Sequence, residues 1–351
     1  MTSALTNALA ALRDGISRPL RWREALTEIQ HQLDHFVQWK DAQDAQLTEI
    51  RHQLDGLVQW KEAQDSQLTD IRHQLDRLIH LNHGGRATYV GNNRVLTKCV
   101  IADAVIGYLV EADDRLLAPW LILSGQYEND VTNFFLRHLK LGSRCIDVGA
   151  NFGFYTCLMG RFCPNGKVIG VEPDPVVYTL VRDNIYINGL HGHASAKQCA
   201  ISDVAGSLQL HRRITRSGNT SVSVMPKELL DLMGEPNSEP FEVTCVSIDD
   251  LLPEFGNRID FLKIDVEGAE PLVLRGAAKA IRLNPQLNII MEWSPGQISA
   301  AGFEIAEFLR ELDAMGLKAA EIGPSEEREI AHSDLLEIEY RAGILLRRAG
   351  D

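Results

Sequence analysis

The sequence predicts an α/β fold, a doubly wound parallel sheet, preceded by an N-terminal α-helical coiled coil. Three observations predict it. First, Cys145-Ile146-Asp147-Val148-Gly149-Ala150-Asn151-Phe152-Gly153 reads as a buried strand that ends on a carboxylate and breaks into a glycine turn before a helix. Second, the apolar run before Glu172 and the run Ile259–Glu270 read as two more strands, the latter bringing Asp265, Glu267 and Glu270 to the same carboxyl edge. Third, LTEIQHQLDHFVQWKDAQDAQ from Leu26 recurs from Leu47 and, truncated, from Leu68, a period of three heptads.

In chain order, Gly15 and Pro19 separate a short leading helix from the repeats. With Leu26 at position a, leucine dominates a, and Ile29, Ile50 and Ile71 fall at d. Leucine at a with isoleucine at d favours three or four strands over two, and Val37, Val58 and Ile79 at e widen the apolar stripe in the same direction. His31, His52 and His73 fall at f, a solvated face, too far apart for one metal. Asn82-His83-Gly84-Gly85-Arg86 stops the helix, so residues 1–85 form the stalk, 86–124 a strand-rich cap and 125–351 the main domain. There, Ser124–Glu128 is expected to open a helix through Lys140. Strands are expected near 196–201, 241–247, 287–293, 317–322 and 338–346, with helices near 175–188, 268–282 and 301–315.

The acid at the end of the first strand selects the cofactor. A dinucleotide would place its pyrophosphate on the glycine turn, where Asp147 repels it. S-adenosylmethionine carries a sulfonium and an ammonium instead, which Asp147 attracts, and Glu172 can accept both ribose hydroxyls. Gly149 and Gly153 form the turn, a departure from G-x-G-x-x-G.

The segments IDVGANFGFYT, VIGVEPDP, CAISD and FLKIDVEGAEPLVLRGA resemble those of the FkbM family of S-adenosylmethionine-dependent methyltransferases, over about residues 120 to 348. The resemblance implies a class I, Rossmann-like methyltransferase with a seven-stranded sheet whose last strand is antiparallel. It places the Gly125-x-Tyr127-Glu128 element against the cofactor, and Asn151, Tyr155 and Pro173 of the matching segments join Asp147, Gly149, Gly153 and Glu172 as expected contacts. Asp203, just past Cys199-Ala200-Ile201, is expected to accept from the adenine amino group. Asn184 and the Ser217–Ser221 loop are weaker candidates.

Composition narrows the acceptor. A formal charge of −13, with no basic run, excludes a phosphate-backbone partner, and Asp-Val-Glu-Gly after the third strand is not the Pro-Pro-aromatic signature of base methylation. The six cysteines lack C-x-x-C spacing and read as core thiols. With neither a signal peptide nor an 18-residue apolar run, the expected location is the cytoplasm, with peripheral membrane association through the N-terminal helix as the alternative. No metal is expected, because one strand-end acid without identifiable companions is poor evidence for one.

The expected activity is therefore O-methylation of a glycan or secondary-metabolite hydroxyl, with Asp265, Glu267 or Glu292 as the base. The rival is a coiled-coil scaffold that retains a cofactor-binding domain. Mere folding does not require acids at three strand ends, which favours the enzyme. Self-association through residues 26–79 is expected to give a trimer or tetramer, and deleting residues 1–83 should yield a monomer or weaker assembly. Sedimentation equilibrium checks this, and a monomeric full-length protein at micromolar concentration would contradict it.

Overall fold

A computed structural model of the protein describes residues 87–213 and 238–348, with 215, 220 and 230 between them. The heptad repeats, the Asn82–Arg86 boundary and all of the Ser217–Ser221 loop except Thr220 lie outside the described residues. Those up to Lys98, with Pro119–Gly125, belong to one compact unit; Cys99–Ala118 with the chain from Gln126 onward form another. The expected cap of 86–124 is thus divided. β1 (Ala87–Gly91), in the first unit, pairs antiparallel with the part of β2 (Arg94–Ile101) up to Thr97 through a turn at Asn92 and Asn93, both at positive φ as a tight hairpin turn demands. α1 (Leu117–Ser124) lies in the first unit from Pro119 onward.

In the second unit, β3 (Ala104–Glu111) is held through its backbone: Gly107 N–H donates to Asn188 Oδ1 and Leu109 N–H to Asn184 Oδ1. Asn184 Nδ2 also donates to the carbonyls of Leu109 and Phe152. Its amide is committed to backbone, so this candidate is structural rather than a ligand contact. α2 (Asn129–His138) starts later than expected, because Glu128 sits at φ 40° and breaks the chain between two helices.

β4 (Arg144–Val148), α3 (Phe154–Phe162), β5 (Lys167–Val171), α4 (Pro175–Ile187) and β6 (Ala194–Lys197) form two successive βαβ units with parallel strands. β7 (Ala200–Ile201), β8 (Gly206–Arg212) and β9 (Glu239–Val246) make a separate three-stranded sheet in the order β7-β9-β8. After α5 (Ile248–Leu251), β10 (Phe261–Ile264) returns beside β4. The helix expected near 268–282 is two, α6 (Glu270–Arg275) and α7 (Ala278–Leu283). They part near Gly276, where an added Cβ would meet the Ser202 carbonyl oxygen at 2.2 Å. β11 (Asn288–Trp293), α8 (Pro295–Ala300), α9 (Ile305–Ala314), β12 (Leu317–Ile322), β13 (Glu327–Ile330) and β14 (Arg341–Arg348) complete the unit.

The main sheet runs β13-β12-β14-β11-β10-β4-β5-β6, eight strands where seven were expected. The addition is β13, a four-residue edge strand of sequence EREI, too short and too charged to show an alternating pattern. The last strand, β14, is antiparallel to both neighbours, as the resemblance implied. All six cysteines are free and buried, in keeping with core thiols. Among the described residues no helix is long and apolar enough to cross a membrane.

From β4 the chain winds outward to β5 and β6, and from β10 it winds the other way to β11, so the strand order reverses between β4 and β10. A crevice opens at the carboxyl ends of strands at such a switch point. Gly149 makes this one possible. It lies at φ +75°, and an added Cβ would fall 1.7 Å from the Asp265 carbonyl oxygen. Gly189, at φ +70°, has open space around it. Gly189→Ala should therefore cost only the left-handed backbone penalty, about 1–2 kcal/mol, whereas Gly149→Ala adds a backbone collision. Thermal unfolding should show a clearly larger fall in Tm for Gly149→Ala, and equal falls would contradict the close approach.

Candidate active site

A pocket of about 240 Å³ occupies the switch point. Its walls include Tyr127, Glu128, Asp147, Gly149, Asn151, Tyr155, Glu172 and Pro173 from the expected cofactor contacts, and Asp265, Glu267 and Glu292 from the expected catalytic acids. Asp203 does not line it. That residue is exposed and accepts from the Ser202 hydroxyl, and Cys199, Ala200 and Ile201 form the wall instead. Gly153 also does not line it. At φ +86° it caps α3, and an added Cβ would crowd Val181 of α4, so its smallness serves helix packing.

The turn after β4 is hooked to the next strand, with Gly149 N–H and Ala150 N–H both donating to the Val171 carbonyl. Asn151, at φ 50°, adopts the left-handed conformation that asparagine tolerates best among non-glycine residues. Its N–H donates to Glu172 Oε2 at 2.8 Å, and Asp174 N–H donates to Oε1 at 2.9 Å. The two bonds fix the carboxylate while leaving each oxygen acceptor capacity. Burial pushes the Glu172 carboxyl up to about 8, against the lowering effect of the Asp174 N–H.

Asp147 is almost fully buried, and Thr156 Oγ1 donates to its Oδ2 at 2.6 Å. Gly170 stands beside Asp147 on β5, and an added Cβ there would lie 2.4 Å from Thr156 Oγ1. The missing side chain of Gly170 thus leaves space for the hydroxyl that caps Asp147. On the other side, parallel register sets Lys263 of β10 beside Asp147. Reading the sequence did not single out Lys263. It is 2% exposed, its Nζ donates to Asp265 Oδ2 at 2.8 Å, and it lies 4.8 Å from the Tyr155 ring centroid. Burial opposes its charge, but Asp265, Glu128 and Asp147 hold the ammonium above the ordinary lysine value. Asp147 is therefore not a lone charge awaiting a cationic ligand. The signal was present in the sequence, since Lys263 is the one charged residue of an otherwise apolar strand and stands two positions before Asp265.

Tyr155 OH donates to Glu128 Oε2 at 2.7 Å, and burial brings the Glu128 carboxyl up to about 7. The loop after β10 carries two acids to the rim and turns a third inward. Glu270 Oε1 accepts from Val266 N–H and Gly268 N–H, so Glu270 shapes the loop and does not face the pocket. Glu267 sits at φ 56°, and Gln297 Nε2 donates to its Oε2. Glu292 comes from the end of β11, and its buried Oε2 has no hydrogen-bond partner. Burial first, then Asp265 and Glu267, push its carboxyl well above the usual range. Asp265 thus keeps Glu267, which the sequence set on the same edge, and gains Glu292 from β11 in place of Glu270.

Residues 147–318 match the methyltransferase FkbM domain. The chain is 30% identical over 175 residues to methyltransferase sdnD of Sordaria araneosa, an alignment covering 44% of this chain and 67% of that protein. The chain belongs to the FkbM methyltransferase family. It is 32% identical over 174 residues to the 31-O-demethyl-FK506 methyltransferase FkbM of Streptomyces tacrolimicus, covering 42% and 65% of the two chains. It thus spans about two thirds of the length of these relatives. A solved methyltransferase FkbM from Methylobacillus flagellatus KT aligns with 65% of this chain and 52% of that one, at 12% identity and a TM-score of 0.39, too loosely to carry an argument.

FkbM proteins take their methyl group from S-adenosylmethionine, and this pocket fits that donor. Gly149 has no side chain to fill the crevice, Glu172 keeps acceptor capacity toward it, and its one ammonium is outnumbered by carboxylates. Glu172→Ala should weaken S-adenosylhomocysteine binding by roughly 10- to 100-fold, the loss expected when buried ribose hydroxyls are left without their hydrogen-bond partner. In the empty pocket the raised pKa of Glu172 favours folding with a proton bound. That stabilisation is present at acid pH and lost as pH rises through about 8. The Tm of wild type relative to Glu172→Gln should therefore fall between about pH 5 and 8 and level off above. Calorimetry and thermal unfolding check the two effects, and unchanged affinity together with a pH-independent Tm difference would remove Glu172 from the site.

Proposed function

We propose that this FkbM family member transfers a methyl group from S-adenosylmethionine to a hydroxyl oxygen of a glycan or secondary metabolite. The observation that carries the reading is the union, in one pocket, of Glu172 and the Gly149 turn with the acids Asp265, Glu267 and Glu292. In this reading Glu172 accepts the ribose hydroxyls, and the turn from Gly149 to Asn151 with Asp147 holds the amino-acid end. Ile201, Leu208 and Leu210 supply apolar wall for the adenine in place of Asp203. The donor brings the sulfonium-activated methyl group. The protein's part is to align the acceptor oxygen with it and exclude water. The printed name of the Streptomyces tacrolimicus relative, a 31-O-demethyl-FK506 methyltransferase, agrees with oxygen as the acceptor atom.

A hydroxyl must shed its proton as the new bond forms, and the acid cluster is where that charge is managed. Asp265 Oδ2 is engaged by Lys263, while Glu292 Oε2 has no partner, which favours Glu292 over Asp265 as the group facing the acceptor. The heptad repeats, in the same proposal, gather three or four copies and hold these domains on a common stalk. Glu292→Gln should lower turnover about 100-fold or more, and Asp265→Asn by less, with S-adenosylhomocysteine affinity nearly kept in both. Isotope-labelled methyl transfer into fractionated extract of the source organism, followed by mass spectrometry of the product, identifies the acceptor and permits the assay. Near-normal turnover in Glu292→Gln would remove its role, and a methylated nitrogen or carbon would overturn the O-methyltransferase reading.

A further inference from the structure

The acid cluster at the ends of β10 and β11 is more than the methyl donor accounts for. Carboxylate oxygens of Asp265, Glu267 and Glu292 lie within 4.8 Å of one another. Glu292 is 7% exposed, and its Oε2 is buried with no hydrogen-bond partner. Leaving such an oxygen unsatisfied is costly, so in the native protein it takes a water or an ion from the pocket beside whatever bond Tyr340 makes to the same carboxyl. The charge balance points the same way. Among the described residues lining the pocket, Glu128, Asp147, Glu172, Asp265, Glu267 and Glu292 face the single ammonium of Lys263. S-adenosylmethionine brings a sulfonium, an ammonium and a carboxylate, a net gain of one positive charge, so six acidic side chains still share only two net cationic charges.

We propose that Asp265, Glu267 and Glu292 form a binding site for a divalent cation of the hard, oxygen-liganded kind, such as Mg²⁺, Mn²⁺ or Ca²⁺. The donors are all carboxylate oxygen, the set these ions prefer over the soft or imidazole-liganded metals. Ligand oxygens on opposite sides of such an ion are about 4–5 Å apart, given bond lengths of roughly 2.0–2.6 Å, and the cluster already has that span. Lys263 takes only Oδ2 of Asp265, leaving the other oxygen for the ion. Gln297 donates to Glu267 Oε2 and so restrains that half-buried carboxylate within the cluster. Coordination positions not filled by the protein open on the pocket, where an acceptor hydroxyl would take one and become more acidic. That last role rests on the proposed O-methylation; the cation site does not.

The test is Mn²⁺ binding to the full-length protein, followed by electron paramagnetic resonance and calorimetry, with and without saturating S-adenosylhomocysteine. One site per chain is expected, with a Kd on the order of 0.1 mM or tighter, competed by Mg²⁺ or Ca²⁺. Glu292→Gln and Glu267→Gln should each weaken it at least tenfold while S-adenosylhomocysteine affinity stays within about twofold. The second variant, at a less buried position, guards against a folding defect in the first. Absence of saturable Mn²⁺ binding below about 1 mM, with S-adenosylhomocysteine still bound, would overturn the site and leave the methyltransferase reading standing. So would Mn²⁺ binding that neither variant alters, since the ion would then lie elsewhere. Mn²⁺ bound at these carboxylates by an enzyme that methylates nitrogen or carbon would uphold the site and remove only the hydroxyl as its ligand.

Discussion

A single buried ammonium organises this site. Lys263 lies inside the sheet at a position where an apolar residue would be the ordinary choice, and it is charged because Asp265, Glu128 and Asp147 surround it. These come from three separate stretches of chain: the loop after β10, the break before α2 and the end of β4. Removing one member of such a buried set leaves the others uncompensated, a penalty of about 3–5 kcal/mol where it has been measured. The arrangement ties the geometry of the cofactor turn to that of the acid cluster, because Asp147 belongs to one and Asp265 to the other. Tyr155 joins them by placing its ring beside the ammonium and its hydroxyl on Glu128.

That electrostatic knot can form only because the backbones around it come unusually close. Gly149 lets the first turn lie against the Asp265 carbonyl, and Gly170 admits Thr156 above Asp147. Gly268, with an added Cβ only 2.4 Å from the Gln297 carbonyl oxygen, lets α8 approach the loop that carries Glu267. Each glycine removes a side chain where two segments meet. Together they bring charged groups from distant parts of the sequence to within hydrogen-bonding reach. Low local dielectric then strengthens each charge interaction and makes any unpaired oxygen, such as Glu292 Oε2, costly.

The sequence by itself determined the chemistry at each strand end. Asp147, Glu172 and Asp265 announce themselves because an apolar run that ends on an acid has one ready explanation, a ligand at the carboxyl edge of a parallel sheet. The βα order was legible for the same reason: it depends on periodicity and on local turn chemistry, both written in neighbouring residues, whereas the antiparallel final strand came from the family resemblance. Tertiary structure alone decided which of those residues meet. Lys263 reads as one polar interruption in a strand until register sets it beside Asp147. Glu292 and Glu267 become companions only when β11 lies against β10. Asp203 and Gly153 satisfied every local criterion yet stand off the pocket, because the wall position went to Ile201 and the helix needed the space at Gly153. A side chain's residue type is a local property, but its partners and its solvation depend on segments far away in sequence, and those two quantities decide what a carboxylate does.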